Sequence, residues 1–250
     1  MEGPNAGRNP YMTTNDAQAD ADSPDCETFP AVSVEKLVKK YEGRIVLDEV
    51  TFSIRRGEFV VIHGKSGCGK TTLLNIIGGL DRPTSGDVLI HGESTVRMTE
   101  DQLAKLRSDK VGFVFQDYNL LNDLTIKENI ELPRRFSGKP VARSADALLE
   151  MFSISSIRDE LPRKISGGEA QRAAIARAMM NEPEIILADE PTGNLDADNT
   201  RKVIEAFRLI QKEFGTTVIL ATHDLDLSKY STSRISLESG KACLSTVQHN

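Results

Sequence analysis

The chain has 250 residues, enough to bury a substantial core and typical of one domain with appendages. The composition is ordinary for a globular protein, with 39% hydrophobic and 27% charged residues. A net charge of −6 and the lack of a long basic run give no indication of a nucleic-acid partner. Three scattered cysteines (Cys26, Cys68 and Cys243) do not form a disulfide framework or a metal-binding pattern, which fits a reducing cytosol.

The hydrophobic segments of the chain are too short to cross a membrane. None approaches the ~18 apolar residues expected of a spanning helix, and the N-terminus lacks the hydrophobic core of a signal peptide. We therefore expect no direct membrane insertion and a cytoplasmic location. If the protein works at a membrane, it does so through a partner.

The N-terminal part combines a polar segment with the first strands. Residues 1–30 are rich in Asn, Asp, Ala, Gly, Pro and Ser, which predicts a flexible acidic extension. Whether this extension is functional or inert is left open by the residues, although inert is favoured. Antiparallel strands are predicted at residues 32–38, 45–47 and 50–54.

A glycine-rich segment then fits the G-x-x-x-x-G-K-[ST] pattern. Apolar residues before it predict a buried strand, and those after it predict a buried helix. Glycines let main-chain N–H groups surround phosphate oxygens, to which the start of the helix adds further donors. Lys70 is predicted to reach the β- and γ-phosphates and Thr71 to hold Mg²⁺. This segment, here called the phosphate loop, comprises Gly64, Lys65, Ser66, Gly67, Cys68, Gly69, Lys70, Thr71 and Thr72.

The remaining chain alternates between strand and helix patterns. A turn at residues 82–86 leads into a strand, and Thr99 with Gln102 predicts a capping box that opens a helix through Arg107. Residues 117–181 form a mainly helical stretch, interrupted by Pro133, Pro140 and Pro162. Further strands are predicted at residues 87–92, 111–116, 185–188 and 216–221, with a helix near 201–214 and a short β-like close. The alternation predicts an α/β fold with a mostly parallel, three-layer core and an inserted helical subdomain at about 117–181.

An apolar strand at residues 184–190 ends in two carboxylates, Asp189 and Glu190. A phosphate-loop enzyme needs an acidic group beside Mg²⁺, which Asp189 would provide. Glu190 would then face the attacking water as general base or water-orienting group. The alternative is a strand that simply ends in solvated acids, but ligands gather at the carboxyl ends of strands in such sheets.

A second anion site is predicted where Ser166, Gly167, Gly168 and Glu169 open an Ala-rich helix. This Ser-Gly-Gly-Glu segment offers a hydroxyl, exposed N–H groups and the positive end of the helix dipole. The chain therefore has two helix N-termini that are predicted to bind phosphate, and two geometries are open. Either both helix N-termini contact one nucleotide within the chain, or each contacts a nucleotide bound with a different chain.

Over residues 32–245 the chain resembles the nucleotide-binding domains of ABC transporters. It also looks close to one subgroup, the ATPases of lipoprotein-release, macrolide-export and cell-division complexes, and the supporting stretches are residues 78–86, 112–116, 119–121 and 187–196. Departures are modest: Ile165 replaces the usual Leu, Glu169 the usual Gln, and Lys65 is less usual in its loop. The motifs follow the family order: the phosphate loop, Gln116, the Ser-Gly-Gly-Glu segment, Asp189 with Glu190, Gly193-Asn194-Leu195-Asp196, and Thr222-His223-Asp224.

The resemblance implies an ABC-type ATP-binding domain over residues 31–250 that forms a head-to-tail homodimer on binding ATP. Each ATP would lie between one chain's phosphate loop and the other chain's Ser-Gly-Gly-Glu segment. His223 would contact the γ-phosphate, Gln116 would bind Mg²⁺ or water, and Asp196 would link the two sites. Tyr41 lies where the family places an aromatic that stacks on adenine.

Three functional readings remain. The first is an ATP-hydrolysing subunit that drives a separate integral-membrane permease, lying at the inner face of the membrane through that partner. The second is an ABC ATPase of translation or DNA repair, but those carry two such domains or a long coiled coil. The third is a nucleotide-binding regulator without turnover, which the presence of Glu190 argues against.

Overall fold

The protein is described by a computed structural model over residues 29–138 and 143–246. Most of the predicted N-terminal extension, residues 1–28, lies outside the described residues, as do Cys26 and Pro140. None of the helices in the described ranges has both the length and the apolar character needed to cross a bilayer.

A six-stranded sheet forms the centre of the fold. Its strands pair in the order β10-β9-β3-β8-β7-β6, and all pairs are parallel except β9 with β10. This confirms the predicted mostly parallel core. The strands are β3 Phe59–His63, β6 Val111–Val114, β7 Ile185–Asp189, β8 Thr217–Thr222, β9 Ser233–Glu238 and β10 Lys241–Thr246.

A separate four-stranded antiparallel sheet has the order β2-β1-β4-β5. The predicted strands at 45–47 and 50–54 are one continuous strand, because Glu49 takes a left-handed conformation (φ 50°) at an irregularity that keeps both halves paired with β1. The four strands are β1 Val32–Tyr41, β2 Arg44–Ile54, β4 Ser85–Ile90 and β5 Glu93–Ser94.

The helices surround the central sheet. The predicted capping box at Thr99 is present, and Thr125 with Glu128 and Ser166 with Glu169 form two more. The helical stretch is broken by 3₁₀ turns at Leu132–Phe136, Ser155–Ile157 and Pro162–Lys164. The α-helices are α1 Lys70–Ile77, α2 Glu100–Asp109, α3 Ile126–Glu131, α4 Ala145–Met151, α5 Gly167–Met179 and α6 Ala197–Phe214.

The central sheet buries both faces, as the apolar strand sequences predict. On β3, Phe59 and Val61 pack into a core shared with α3 to α6, whereas Val60 and Ile62 pack into a second core shared with α1 and the antiparallel sheet. The fold therefore has three layers. The loops at the carboxyl ends of β3, β7 and β8 emerge side by side, which sets the position of the site.

Candidate active site

The carboxyl ends of β3 and β7 lie on either side of β8 and open into a cleft of about 490 Å³. Ten of the residues predicted for the site line it, together with Val46 from β2. The lining residues are Val46, Ser66, Gly67, Gly69, Lys70, Thr71, Thr72, Gln116, Asp189, Glu190 and His223.

The phosphate loop has a conformation that requires glycine at defined positions. Gly67 and Gly69 have φ of +77° and +107°, which side chains other than glycine rarely adopt. At Gly64 the constraint is space, since a Cβ atom would lie 2.5 Å from both the Cys68 Sγ and the Leu237 carbonyl oxygen. Because these residues are glycines, the loop backbone packs closely against its surroundings at Gly64. No side chain at these positions would block a phosphate from the loop's N–H groups.

Lys70 is held across the mouth of this loop. Its side chain is only 6% exposed, and the ammonium donates to the Gly64 carbonyl at 2.8 Å. The same nitrogen lies 3.2 Å from Glu190 Oε1. A buried ammonium needs such partners, and this arrangement places its charge between the loop and the end of β7.

Thr71 and Asp189 form the second contact between loop and sheet. The Thr71 hydroxyl donates to Asp189 Oδ2 at 2.7 Å. Asp189 Oδ1 is buried and has no hydrogen-bond partner among the described residues, and burial raises the pKa of this carboxyl group.

These two oxygen-bearing side chains fit a hard divalent cation. A carboxylate oxygen that is buried without a donor is compensated when it binds a cation, and Mg²⁺ takes oxygen ligands, several of them from water or phosphate. Within the described ranges no group of three or more His, Cys, Asp or Glu residues is arranged to hold a metal. Mg²⁺ would therefore depend on the nucleotide for part of its coordination.

Glu190 stands at the end of β7 in a strained backbone conformation, with φ of 45°. Its N–H donates to the Ala221 carbonyl at 2.9 Å, which ties this turn to β8. One carboxylate oxygen meets Lys70, and the other lies 2.9 Å from His223 Nδ1. Lys70 and His223 thus orient the Glu190 carboxylate from two sides, and the residue lines the cleft.

Gln116 reaches the cleft from the next strand. The predicted strand at 111–116 ends at Val114, where its pairing with β7 stops, so that Gln116 lies in a loop. Its side chain packs beside Gly193, where a Cβ atom would lie 3.3 Å from Gln116 Nε2.

The Ser-Gly-Gly-Glu segment is not among the residues that line the cleft. Ser166 caps α5, and its hydroxyl and N–H both donate to the Glu169 carboxylate. Asp196 caps α6 and bonds Asn199, whose side chain occupies the space that a Cβ atom on Gly168 would need. Asp196 and this segment therefore lie close together, and neither lines the cleft of the chain's own phosphate loop.

Tyr41 is placed near the start of α1 but is not among the cleft-lining residues. Tyr41 is 46% exposed, and its hydroxyl donates to the Asp81 carboxylate. The Lys39 ammonium lies 4.6 Å from the ring centroid. This contact and the Asp81 bond were not anticipated from the sequence, and the stacking role of Tyr41 stays a prediction.

Two neighbours of the site were missed by sequence reasoning. Val46 lines the cleft from β2, and His63 Nε2 lies 3.1 Å from the His223 carbonyl oxygen. Val46 carries no local signal, because an apolar residue on a strand is expected in any sheet. His63 directly precedes the phosphate loop, and that adjacency was the available signal.

Comparison with known proteins agrees with this architecture. The chain is 38% identical over 225 residues to the lipoprotein-releasing system ATP-binding protein LolD of Blochmanniella floridana, covering 87% of this chain and 96% of that protein. It is 46% identical over 204 residues to the macrolide export ATP-binding/permease protein MacB of Aggregatibacter actinomycetemcomitans. That match covers 80% of this chain but 32% of MacB.

A solved structure shares the fold closely. An ATP-binding cassette from Methanocaldococcus jannaschii, solved as a dimer in a post-hydrolysis state bound to ADP and Pi, superposes with a TM-score of 0.80 at 37% identity. The superposition covers 88% of this chain and 100% of the cassette. A family model described as ABC transporter matches residues 47–193. The chain belongs to the ABC transporter family and is an ATP-binding cassette of that family.

Proposed function

We propose that this chain hydrolyses ATP as a homodimer with Mg²⁺ and that it drives a separate integral-membrane permease. The observation that carries this proposal is the convergence of Lys70, Thr71, Asp189, Glu190 and His223 on one cleft. These residues supply a cation for phosphate oxygens, oxygen ligands for a metal and a positioned carboxylate. Phosphoryl transfer needs that combination of positioning and charge stabilisation.

Within this cleft Glu190 is the general base or water-orienting group. Its Oε1 pairs with Lys70 and its Oε2 with His223. Phosphate oxygens compete for the Lys70 ammonium, which frees Oε1 to accept a proton from water while His223 keeps the carboxylate oriented. Mg²⁺ held by Thr71 and Asp189, with Gln116 within reach, would neutralise charge on the phosphates.

The position of the Ser-Gly-Gly-Glu segment supports the two-chain arrangement. Its Ser166 and Gly168 do not line the chain's own cleft, and Gly168 lies against Asn199, which is bonded to Asp196. The related archaeal cassette is dimeric with ADP and Pi. We therefore favour the geometry in which each ATP is held by one phosphate loop and capped by the other chain, with Asp196 between the two sites.

A surface groove is consistent with the proposed membrane partner. It has a volume of about 360 Å³, and Phe113, Phe115 and Phe136 lie along it; Phe136 is 75% exposed. Leu121, in the segment that follows Gln116, is 48% exposed. Exposed apolar residues such as Phe136 and Leu121 are typical of protein interaction sites. LolD is named as part of a lipoprotein-releasing system and MacB as an ATP-binding/permease protein, which supports a permease subunit and a location at the inner membrane face.

The test uses the Glu190→Gln protein, which keeps the size of the side chain but removes the base. We expect ATP turnover to fall by about 10²-fold or more and ATP to be trapped in a stable dimer, measured by phosphate release and light scattering. In cells of the native host, membranes should retain the tagged variant in ATP and release it after exchange to ADP.

The outcomes separate the parts of the proposal. Equal rates for wild type and Glu190→Gln contradict the role of Glu190, and a persistent monomer in ATP contradicts the two-chain site. Equal membrane retention of Glu190→Gln and Lys70→Ala proteins contradicts nucleotide-driven coupling to a permease.

A further inference from the structure

The segment that follows Gln116 has an unusual backbone. Tyr118 and Asn119 are consecutive residues with φ of 59° and 49°, in the left-handed region that residues other than glycine seldom occupy. Strained residues of this kind persist only where surrounding contacts hold them. We call residues 115–121 the Gln116 loop, and α5 supplies the side-chain contacts to Phe115, Tyr118 and Asn119 within it.

Arg177 on α5 holds the strained residues directly. One guanidinium nitrogen donates to the Tyr118 carbonyl at 2.9 Å and another to the Asn119 carbonyl. No carboxylate among the described residues shifts the pKa of Arg177, which burial lowers. A half-buried guanidinium whose bonds go to main-chain carbonyls fixes the course of the backbone, because its planar fork matches two acceptors at once.

Two further contacts join the Gln116 loop to α5. The Tyr118 hydroxyl lies so near Gly167 that a Cβ atom there would be 2.7 Å from it. Gln171, which is fully buried, donates to the Phe115 carbonyl at 3.5 Å. The loop is thus attached to α5 at its first turn, near its middle and in its last turn, and a rigid helix transmits displacement along its length.

These contacts connect two ends with different tasks. Gln116 lines the chain's own cleft, and Ser166 with Gly167 begins α5 outside it. We propose that Arg177 is a positioning residue: it fastens the Gln116 loop to α5, so that ATP bound in a chain's own cleft sets the orientation of the Ser-Gly-Gly-Glu segment it presents to the second chain. This inference rests on the proposed two-chain function.

The first experiment compares ATP-dependent dimerisation in the Glu190→Gln background. Arg177→Ala should weaken dimerisation at least about ten-fold, whereas ATP affinity of the single chain stays within about two-fold, because the phosphate loop is untouched. Arg177→Lys keeps a charge that reaches one carbonyl and should recover part of the loss. Arg172→Ala is the matched control, since Arg172 is also partly buried on α5 but faces the groove beside α4 and α6.

Parent-like dimerisation of Arg177→Ala overturns the inference, and so does an equal loss in Arg172→Ala. Loss of single-chain ATP binding in Arg177→Ala also overturns it, because the residue would then support the fold as a whole. A purely structural role would lower ATP binding and dimerisation together.

The second experiment does not require a dimer. At a concentration where light scattering detects single chains, ATP binding should change amide hydrogen exchange in residues 115–121 and 166–170 of the parent. In Arg177→Ala the change at 166–170 should disappear while that around the phosphate loop remains. If the Glu190→Gln parent never dimerises, the proposed function fails, and exchange still decides whether Arg177 links the segments: an unaltered response at 166–170 overturns the link.

Discussion

Glu169 places a negative charge at the helix start that is proposed to cap the phosphates of a second chain. Its carboxylate accepts from the Ser166 hydroxyl at 2.7 Å and from the Ser166 N–H at 2.9 Å. These hydrogen bonds hold the pKa of Glu169 below its usual range, so the group is charged at pH 7. The same donors that would meet a phosphate are engaged by a carboxylate.

Glu169→Gln should therefore strengthen ATP-dependent dimerisation. The amide keeps the capping box, because Gln serves at this position as Glu does, but it removes repulsion against phosphate. We expect about three- to ten-fold tighter dimerisation in the Glu190→Gln background, measured by light scattering against protein concentration. Glu205→Gln, on the exposed face of α6, is the control. A weaker dimer in Glu169→Gln would show that the carboxylate assists the interface.

At the scale of elements, the end of the Gln116 loop and its connection to α3 depend on one buried amide. Asn129 is fully buried on α3 and accepts from the Leu121 N–H at 2.7 Å. Its amide nitrogen, which has two hydrogens to donate, lies 3.0 Å from each of the carbonyl oxygens of Leu121, Leu124 and Thr125. Since this connection has little regular structure of its own, a single side chain satisfies main-chain groups that a sheet or helix would otherwise pair.

Asn129→Ala should lower the free energy of unfolding by about 2–4 kcal/mol, because it leaves the partly buried main-chain groups of Leu121 and Leu124 without this partner and opens a gap at a fully buried position. Urea unfolding measures this change. Thr99→Ala at the exposed capping box of α2 is the comparison, with an expected loss of about 1 kcal/mol. Equal losses for the two variants would mean that water takes over the hydrogen bonds of the Asn129 side chain.

At the scale of the whole molecule, a buried histidine connects the two sheets. His91 follows β4 and its side chain is only 7% exposed; its Nε2 lies 2.9 Å from the carboxylate of Glu184, which precedes β7. Burial lowers the pKa of His91 below its usual 6.5, opposed by Glu184 and Glu93 and reinforced by Arg56 and Lys110. The folded protein therefore keeps this imidazole neutral more readily than the unfolded chain does.

The sign of the pH dependence follows from this lowered pKa. Below about pH 6.5 the unfolded chain binds a proton that the folded chain does not, so the stability due to neutral His91 is present above 6.5 and is lost as the pH falls through the folded pKa. One such proton contributes at most about 1.4 kcal/mol per pH unit. His91→Asn, which tolerates the left-handed backbone at this position (φ 51°), should flatten the stability profile as the pH falls below 6.5, measured by urea unfolding. An unchanged slope would assign the effect to other groups.

The sequence determined the features that depend on adjacent residues. The phosphate loop, the strand that ends at Asp189 and the capping box at Thr99 each consist of neighbours whose backbone and hydrogen-bonding needs are met locally. The alternation of apolar strands and helices was sufficient to predict the three-layer core, because a sheet that is buried on both faces needs continuous apolar strands. The order of the motifs was sufficient to predict the family.

The tertiary structure decided what distant residues do together. It joined two predicted strands into β2, ended β6 before Gln116, engaged Tyr41 with Asp81, and excluded the Ser-Gly-Gly-Glu segment from the chain's own cleft. It also brought Arg177 to the strained residues beside Gln116. None of these contacts follows from local pattern, because each depends on how whole elements pack across many intervening residues, and packing selects among placements that the same local preferences allow.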